Sequence, residues 1–345
     1  MSDKWVDRKA AAWHALWDRC PGLGWLRTWG VSGISICSGL VTLLIFRRGI
    51  EYFPLVIGYL LLLWLAGVLL AEHRQRLSER APRAVTTAID YTVQTLLHGL
   101  LLFLLPIYYA STTLTSGNVW FLLVLVGASI LTTIDPWYRT VTEQARWVES
   151  ALFGLGLFSA LNVAFPLVGV ASGTALLLSG SASVLALSPI FRRGLGAGWA
   201  AAALRAGCGA VAIAIGLWLV REWMPPVPLH LTHYTFARAV DQLEPVEPAV
   251  RIARETLQAW GKLFAYTAVA APAGLREPVH HAWQKNGRTV TVMPSTTVQG
   301  GRQGGFRVYS WKADFGVDPA GVWQVEVRTA GGQLIGRAQL LVTDP

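Results

Sequence analysis

Two spacings of hydrophobic residues divide this chain. Up to about residue 220 the apolar positions form long, nearly charge-free runs, and beyond about residue 230 they alternate every second residue. The runs centre on a hairpin, Tyr91 to Arg139. In it, two apolar stretches, each long enough for a hydrocarbon core of ~30 Å, flank an uncharged, hydroxyl-rich turn containing Ser111, Thr112, Thr113, Thr115, Ser116 and Asn118. Asp90 and the Asp135-Pro136-Trp137-Tyr138-Arg139 run put charge at the opposite ends. Spanning helices are predicted over 30–46, 53–71, 91–110, 118–134, 148–164, 167–188 and 199–220. Read as one helix, 148–188 would run ~60 Å at 1.5 Å per residue, twice the hydrocarbon thickness. Asn162, Pro166 and Gly169 mark where it turns. Seven spans result.

The alternating part reads as strands. Phe236–Val240, Leu263–Val269, Val279–Trp283, Thr289–Met293, Phe306–Trp311, Val322–Val327 and Gln339–Val342 are β-rich, and Asn286-Gly287 and Gly331-Gly332 supply tight turns. About seven short strands in this length predict a small antiparallel sandwich of the immunoglobulin-like kind. Phe306 and Val308 would face its core beside Trp323, Val325 and Val327, leaving Arg307, Tyr309 and Trp311 outside. Between the two parts, 221–229 (REWMPPVPL) is expected to form a stiff Pro-rich stalk. Ahead of the first span, Lys4 to Arg19 gathers Trp5, Ala12, Trp13, Leu16 and Trp17 on one helical face. Two readings stay open for it, an interfacial amphipathic helix and a packed cytoplasmic cap. The expected organisation is therefore 1–29 amphipathic segment, 30–220 seven-helix membrane bundle, 221–229 stalk and 230–345 all-β sandwich.

Composition agrees. Of 345 residues 53% are hydrophobic and only 14% charged, against about 25% charged in soluble domains, so much of the chain is expected to face a lipid bilayer. A net charge of +9 would suggest nucleic acid in a soluble protein; here its placement matters more. Lys4, Arg8, Lys9, Arg19, Arg27, Arg74, Arg76, Arg80, Arg83, Arg139, Arg146, Arg192 and Arg193 all fall on one side of the seven spans, while Arg47, Arg48 and Arg221 fall on the other. Thirteen against three is a positive-inside bias. It predicts a multi-pass protein of the bacterial inner membrane with its N-terminus in the cytoplasm and its C-terminal domain in the periplasm. Nucleic acid is not an expected partner. Met1 to Arg27, charged and Trp-rich, lacks the form of a cleavable signal. The three cysteines, Cys20, Cys37 and Cys208, offer the C-terminal third no disulfide framework.

Several stretches resemble known families. ArgAlaValAspGlnLeuGluProVal (238–246), HisHisAlaTrp (280–283) before AsnGly (286–287), PheArgValTyrSerTrpLys (306–312) and GlyValTrpGlnValGluValArgThrAlaGlyGly (321–332) resemble the bacterial domain-of-unknown-function family numbered 2914. LeuProIleTyrTyrAlaSerThrThrLeu (105–114) and AspProTrpTyrArg (135–139) resemble the companion family numbered 5924. The resemblance implies a bacterial origin and this two-part architecture, with a junction near residue 228, and brings no catalytic set.

Candidate chemistry is sparse. His230, His233, His280 and His281 have no acidic or cysteine partner at ligand spacing, so no metal and no cofactor is expected. Gly30-Val-Ser32-Gly33 matches the short serine motif of rhomboid-type proteases, with His98 as its conceivable base. The expected topology separates the two, and small-residue strings are common in packed helices; no enzymatic activity is expected. Gln94, His98, Asn162 and Arg205 are costly in lipid and should face the bundle interior, Arg205 reaching back toward the interface. Arg307, Tyr309 and Trp311 are the best ligand-binding candidates, since aromatic rings beside a guanidinium stack on sugars or grip a peptide. The chain is expected to be a non-catalytic module that binds or senses an envelope protein or glycan. The alternative is a transporter or an accessory subunit of a membrane complex that uses the interior polar groups.

Overall fold

A computed structural model of the chain describes residues 83–145, 147–189, 192 and 198–344. The expected amphipathic segment at 1–29, the first two spans, Ser32 and the arginines of 74–80 lie outside the described residues.

Six helices come first: α1 (Arg83–Ala110), α2 (Val119–Thr133), α3 (Asp135–Gln144), α4 (Trp147–Leu167), α5 (Ser172–Ala186) and α6 (Trp199–Leu219). Among the described residues three helices are long and apolar enough to cross a membrane: Val93–Ala110 within α1, α4 and α6. The 21 residues of α4 and of α6 rise ~31 Å, close to the hydrocarbon thickness. α2 breaks ahead of Pro136, which cannot donate to a preceding turn, and taken with α3 as one broken span it raises the count to four. The expected span over 167–188 is not one of them. Gly169, at φ +89°, turns the chain after α4, and the turn consumes the residues up to Ala171. α5 is left with 15 residues, ~22 Å and short of a full crossing.

Close contact divides the chain into two compact units. One holds the described residues of Met1–Phe103 with Val126–Phe153, the other Leu104–Leu125 with Gly154–Pro345. Within the second, α5 and α6 pack through small residues. Ala202, Ala206 and Ala210 recur every fourth position and are buried, and a Cβ on Gly180 would lie 2.3 Å from Leu217 Cδ1. Close backbone approach of this kind is what small residues on facing helices permit. The remaining face of α6 presents Leu204, Val211, Ile215 and Leu219 outward.

After a 3₁₀ turn at Arg221–Trp223 the chain becomes β: β1 (His230–Asp241), β2 (Glu244–Ala249), β3 (Arg251–Ala253), a short helix α7 (Arg254–Trp260), β4 (Leu263–Ala270), β5 (Arg276–Lys285), β6 (Arg288–Val292), β7 (Thr296–Gln299), β8 (Phe306–Lys312), β9 (Gly321–Thr329) and β10 (Leu334–Thr343). One sheet has the order β2-β1-β4-β8, and the other β3-β10-β9-β5-β6 with β7 beside β5. The two share a core. Phe236 and Ala265 from the first pack with Trp283, Trp323, Val325 and Leu340 from the second, and Val269 and Val308 pack with Val279, Val327 and Ile335. The expected inward set Val308, Trp323, Val325 and Val327 is buried. Asn286 (φ +48°) and Gly287 (φ +78°) form the two-residue hairpin loop between β5 and β6, where both positions need left-handed backbone. The pairing is not wholly antiparallel, since β3 runs parallel to β10.

The expected stalk is corrected. Pro225, Pro226, Val227 and Leu229 are buried, Leu229 in the sandwich core. Met224 O accepts from Gln333 Nε2 at 3.3 Å. The prolines do stiffen the segment, but its apolar residues are too valuable to leave in water, and it lies against the β domain.

Candidate functional site

The alternation of β8 sends Val308 and Ser310 inward and Arg307, Tyr309 and Trp311 outward. β8 ends its sheet, and its partner β4 sets Tyr266 opposite Tyr309 and Phe264 opposite Trp311. Tyr309 and Trp311 are 47% and 49% exposed. Further rings pack behind and beside them: Phe264 and Tyr309 have centroids 6.4 Å apart, and His233 meets the buried Tyr266 edge-on at 5.6 Å. Charges border it. Arg307 pairs with Glu244 at 2.7 Å, both in solvent, and Lys262 Nζ lies 4.8 Å from the Trp311 ring centre. The three residues singled out in the sequence thus share one side of the sheet with three more aromatic groups, which the sequence concealed because β1 and β4 reach that side only through sheet pairing.

The outer face of the second sheet behaves differently. Gln324 and Glu326 alternate with inward Trp323 and Val325, as solvent positions would, yet Glu326 is 2% exposed. Arg328 Nη2 and Arg337 Nη2 each lie 2.8 Å from its carboxylate, which makes its burial tolerable. The arginines reach further: Arg337 Nη1 donates to Thr115 O at 3.1 Å, and Arg328 Nη1 to Gly332 O at 2.9 Å. Asn118 Nδ2 donates to Leu334 O, and the Trp223 indole lies against Gly117. The hydroxyl-rich turn 111–118, read in the sequence only as an uncharged loop, is a seat for the β domain. Two other helix ends join it. Arg221 Nε donates to Gly331 O at 2.8 Å, and Ser172 N–H, the first of α5, donates to Glu277 Oε2 at 2.7 Å.

Beside these last contacts lies a cavity of about 560 Å³, lined among others by Gly173, Thr174, Trp218, Arg221, Glu277 and Gln333. Glu277 is 2% exposed, and burial raises its carboxyl above the usual range, opposed by the hydrogen bonds from Ser172. Sequence reading missed both the cavity and Glu277, an isolated acid at the start of a strand with no local motif around it.

Three of the four intramembrane polar candidates are buried. Gln94 Nε2 donates to Thr132 O at 3.1 Å. Thr133 Oγ1 gives its proton to Ser129 O and lies 2.9 Å from His98 Nδ1, which it can therefore accept from. Asn162 Nδ2 donates to the Tyr108 hydroxyl at 3.3 Å, and that hydroxyl to Ser159 O at 3.0 Å. Arg205 is a correction: it is exposed, on the side of α6 away from buried Ala202 and Ala206. The small residues α5 demands for close packing leave no room for a guanidinium.

The histidines do not gather. His230 Nδ1 lies by Pro228 O at the start of β1, His233 is on the aromatic face, and His280 and His281 point to opposite sides of β5. No group of three or more His, Cys, Asp or Glu fit for a metal occurs among the described residues. His281 sits in a hydrogen-bond chain instead. Trp283 Nε1 donates to Ser310 Oγ at 2.9 Å, Ser310 Oγ lies 2.8 Å from His281 Nδ1, His281 Nε2 lies 3.0 Å from Thr267 Oγ1, and Thr267 donates to Val308 O. One direction satisfies every member, with Nδ1 accepting and Nε2 donating, so the imidazole is neutral. Burial, with the neighbouring His280 charge, pushes it down to about 4.

Apolar helices long enough to span a membrane, continued by a β-rich C-terminal domain, define the class of this protein. The chain belongs to DUF5924, a family of unknown function, matched over residues 10–265; residues 276–341 match DUF2914, also of unknown function. The first match ends within β4 and the second begins with β5, rather than near residue 228, so both contribute strands to one domain. No curated protein and no solved structure matches the chain.

Proposed function

We propose that this is a multi-pass protein of the bacterial inner membrane whose immunoglobulin-like sandwich, on the periplasmic side, binds or senses an envelope protein or glycan without catalysis. The observation that carries the binding role is the outer aromatic face, where Tyr309 and Trp311 are half in solvent beside Phe264 and charged Arg307. A soluble face would more economically be polar, and Tyr, Trp and Arg are the residues that dominate binding hot spots. The sidedness draws support from the docking contacts. Where the 15 residues of α5 carry the chain back to the arginine-rich side, the bias assigns to the periplasm the connections at 111–118, after α4 and after α6, and these are the ones the β domain touches. The immunoglobulin-like reading rests on the two facing sheets.

The test is a crosslinking pull-down from native membranes with the full chain and with the double substitution Tyr309→Ala, Trp311→Ala. Both side chains are outside the core, so expression and folding should be preserved while capture of the partner is lost. Undiminished capture would remove this face from the account.

A second reading, a transporter or accessory subunit, rests on buried Gln94, His98 and Asn162. Each bonds to a group on another helix, which favours cross-bracing over a moving path.

A further inference from the structure

The cavity beside α5 presents two opposite charges that make hydrogen bonds but have no salt-bridge partner among the described residues. Its basic side is built from backbone. Ser172 N–H is taken by Glu277 and Ala175 N–H by Ala171 O, but the Gly173 and Thr174 amides between them have no acceptor among the described residues. They lie at the positive end of a 15-residue helix, where anions bind. Arg221 stands on the same wall, held by Gly331 O through Nε and by Trp218 O through Nη1, with Nη2 given no protein partner among the described residues. Its acidic side is Glu277, with one oxygen on Ser172 and no cationic partner within salt-bridge distance among the described residues. Gln333 lines the same space, 1% exposed, and its Oε1 accepts nothing from the protein. A buried acceptor left so costs roughly 1–3 kcal/mol unless a ligand or water fills it.

Neither charge suits a simple ion. A lone anion would meet Glu277, a lone cation the amides and Arg221, and one carboxylate makes no divalent site. A zwitterion whose phosphate and primary ammonium are two carbons apart satisfies both walls. The third wall is apolar, with Leu176, Leu177 and Trp218, and Trp218 continues into the exposed apolar surface of α6 at Leu219 and Ile215.

We propose that this cavity is a binding site for the phosphoethanolamine group of a membrane phospholipid. The phosphate sits at the Gly173 and Thr174 amides and Arg221, and the ammonium donates to Glu277 and Gln333 Oε1. The acyl chains run down α6. The site rests on the reading of α6 as a membrane span and is independent of the aromatic face. It would tie the seating of the β domain to the lipid beneath it, because Glu277 and Gln333 belong to the β domain and Gly173 and Thr174 to α5.

The full chain in detergent, titrated with short-chain phospholipids and followed by its thermal unfolding, tests this. Phosphatidylethanolamine should bind at least tenfold more tightly than phosphatidylglycerol, which has no ammonium, and than phosphatidylcholine, whose quaternary ammonium donates no hydrogen bond. Glu277→Gln should cost about tenfold for phosphatidylethanolamine alone. The headgroup ranking uses the unaltered protein, so it stands whether or not the variant folds. Equal affinity for the three lipids, or an ethanolamine preference unchanged in a folded Glu277→Gln variant, would overturn the proposal. Glycerophosphoethanolamine binding as tightly as the lipid would support the zwitterion site and assign it a soluble source; tighter binding of the lipid supports the membrane source. A chain that stays soluble and folded without detergent would sink the membrane reading, while the glycerophosphoethanolamine arm would still report on the site.

Discussion

At His281 the choice of charge state is made by geometry. Ser310 must accept from Trp283 and Thr267 must donate to Val308 O, so the ring between them has one place for a proton and not two. A second proton would make Nδ1 a donor facing the Ser310 hydroxyl that donates to it. The folded histidine therefore titrates near 4, while in an unfolded chain it titrates near 6.5. Above pH 6.5 the ring is neutral in both states and costs nothing. As the pH falls from 6.5 toward 4 only the unfolded chain takes up the proton, and stability drops by about 3 kcal/mol. Glu277 works in the opposite sense, since a raised carboxyl gains relative stability on acidification. The contribution of His281 is therefore read as the difference between the wild type and His281→Gln in denaturant unfolding of the β domain. That difference should shrink steadily between pH 7 and pH 4 in the direction of wild-type loss, and a difference constant with pH would mean that the ring is already charged or exposed.

At the scale of an element, α5 and α6 show how small residues let two helices approach closely. Gly180 admits Leu217, so Gly180→Val should cost about 1–3 kcal/mol through overpacking. Gly207, on the same pair of helices, has open space around its Cβ position, and Gly207→Ala should be neutral or gain up to about 1 kcal/mol in helix propensity. Unfolding in a denaturing detergent separates them; equal effects at the two positions would mean that the helices do not pack as described. The same pair marks the limit of what hydropathy reveals. Apolar runs located α1, α4 and α6, because a long run has few alternatives. The run at 167–188 looked like a full span because hydropathy does not register that Gly169 takes left-handed backbone and begins a turn. Period-two spacing placed the inward side of β8 and β9, and therefore the outward Arg307, Tyr309 and Trp311. It passed over β2, β3, β7 and α7, whose mixed polar sequences carry no clear period. It could not see Glu277 as special, since its neighbours on α5 and in the β9–β10 turn are more than fifty residues distant along the chain.

Within the second compact unit the β domain is seated on helix ends rather than carried away from them. The segment that proline content marked as a spacer is buried, and Arg337, Arg328, Arg221, Asn118 and Glu277 all cross from one part to the other. Within that unit both matched families contribute to one β domain, since β1 to β3 fall in the first and β5 to β10 in the second. This seating makes the sidedness of the helices and the location of the β domain a single question. The proposed periplasmic location of the domain rests on the thirteen-to-three bias of Lys and Arg counted over the seven expected spans. Alkaline phosphatase, which folds to an active enzyme only in the periplasm, fused after Pro345 answers it directly. The account predicts high phosphatase activity and, for a green fluorescent protein fused at the same point, no fluorescence; a fluorescent fusion with an inactive phosphatase would contradict it.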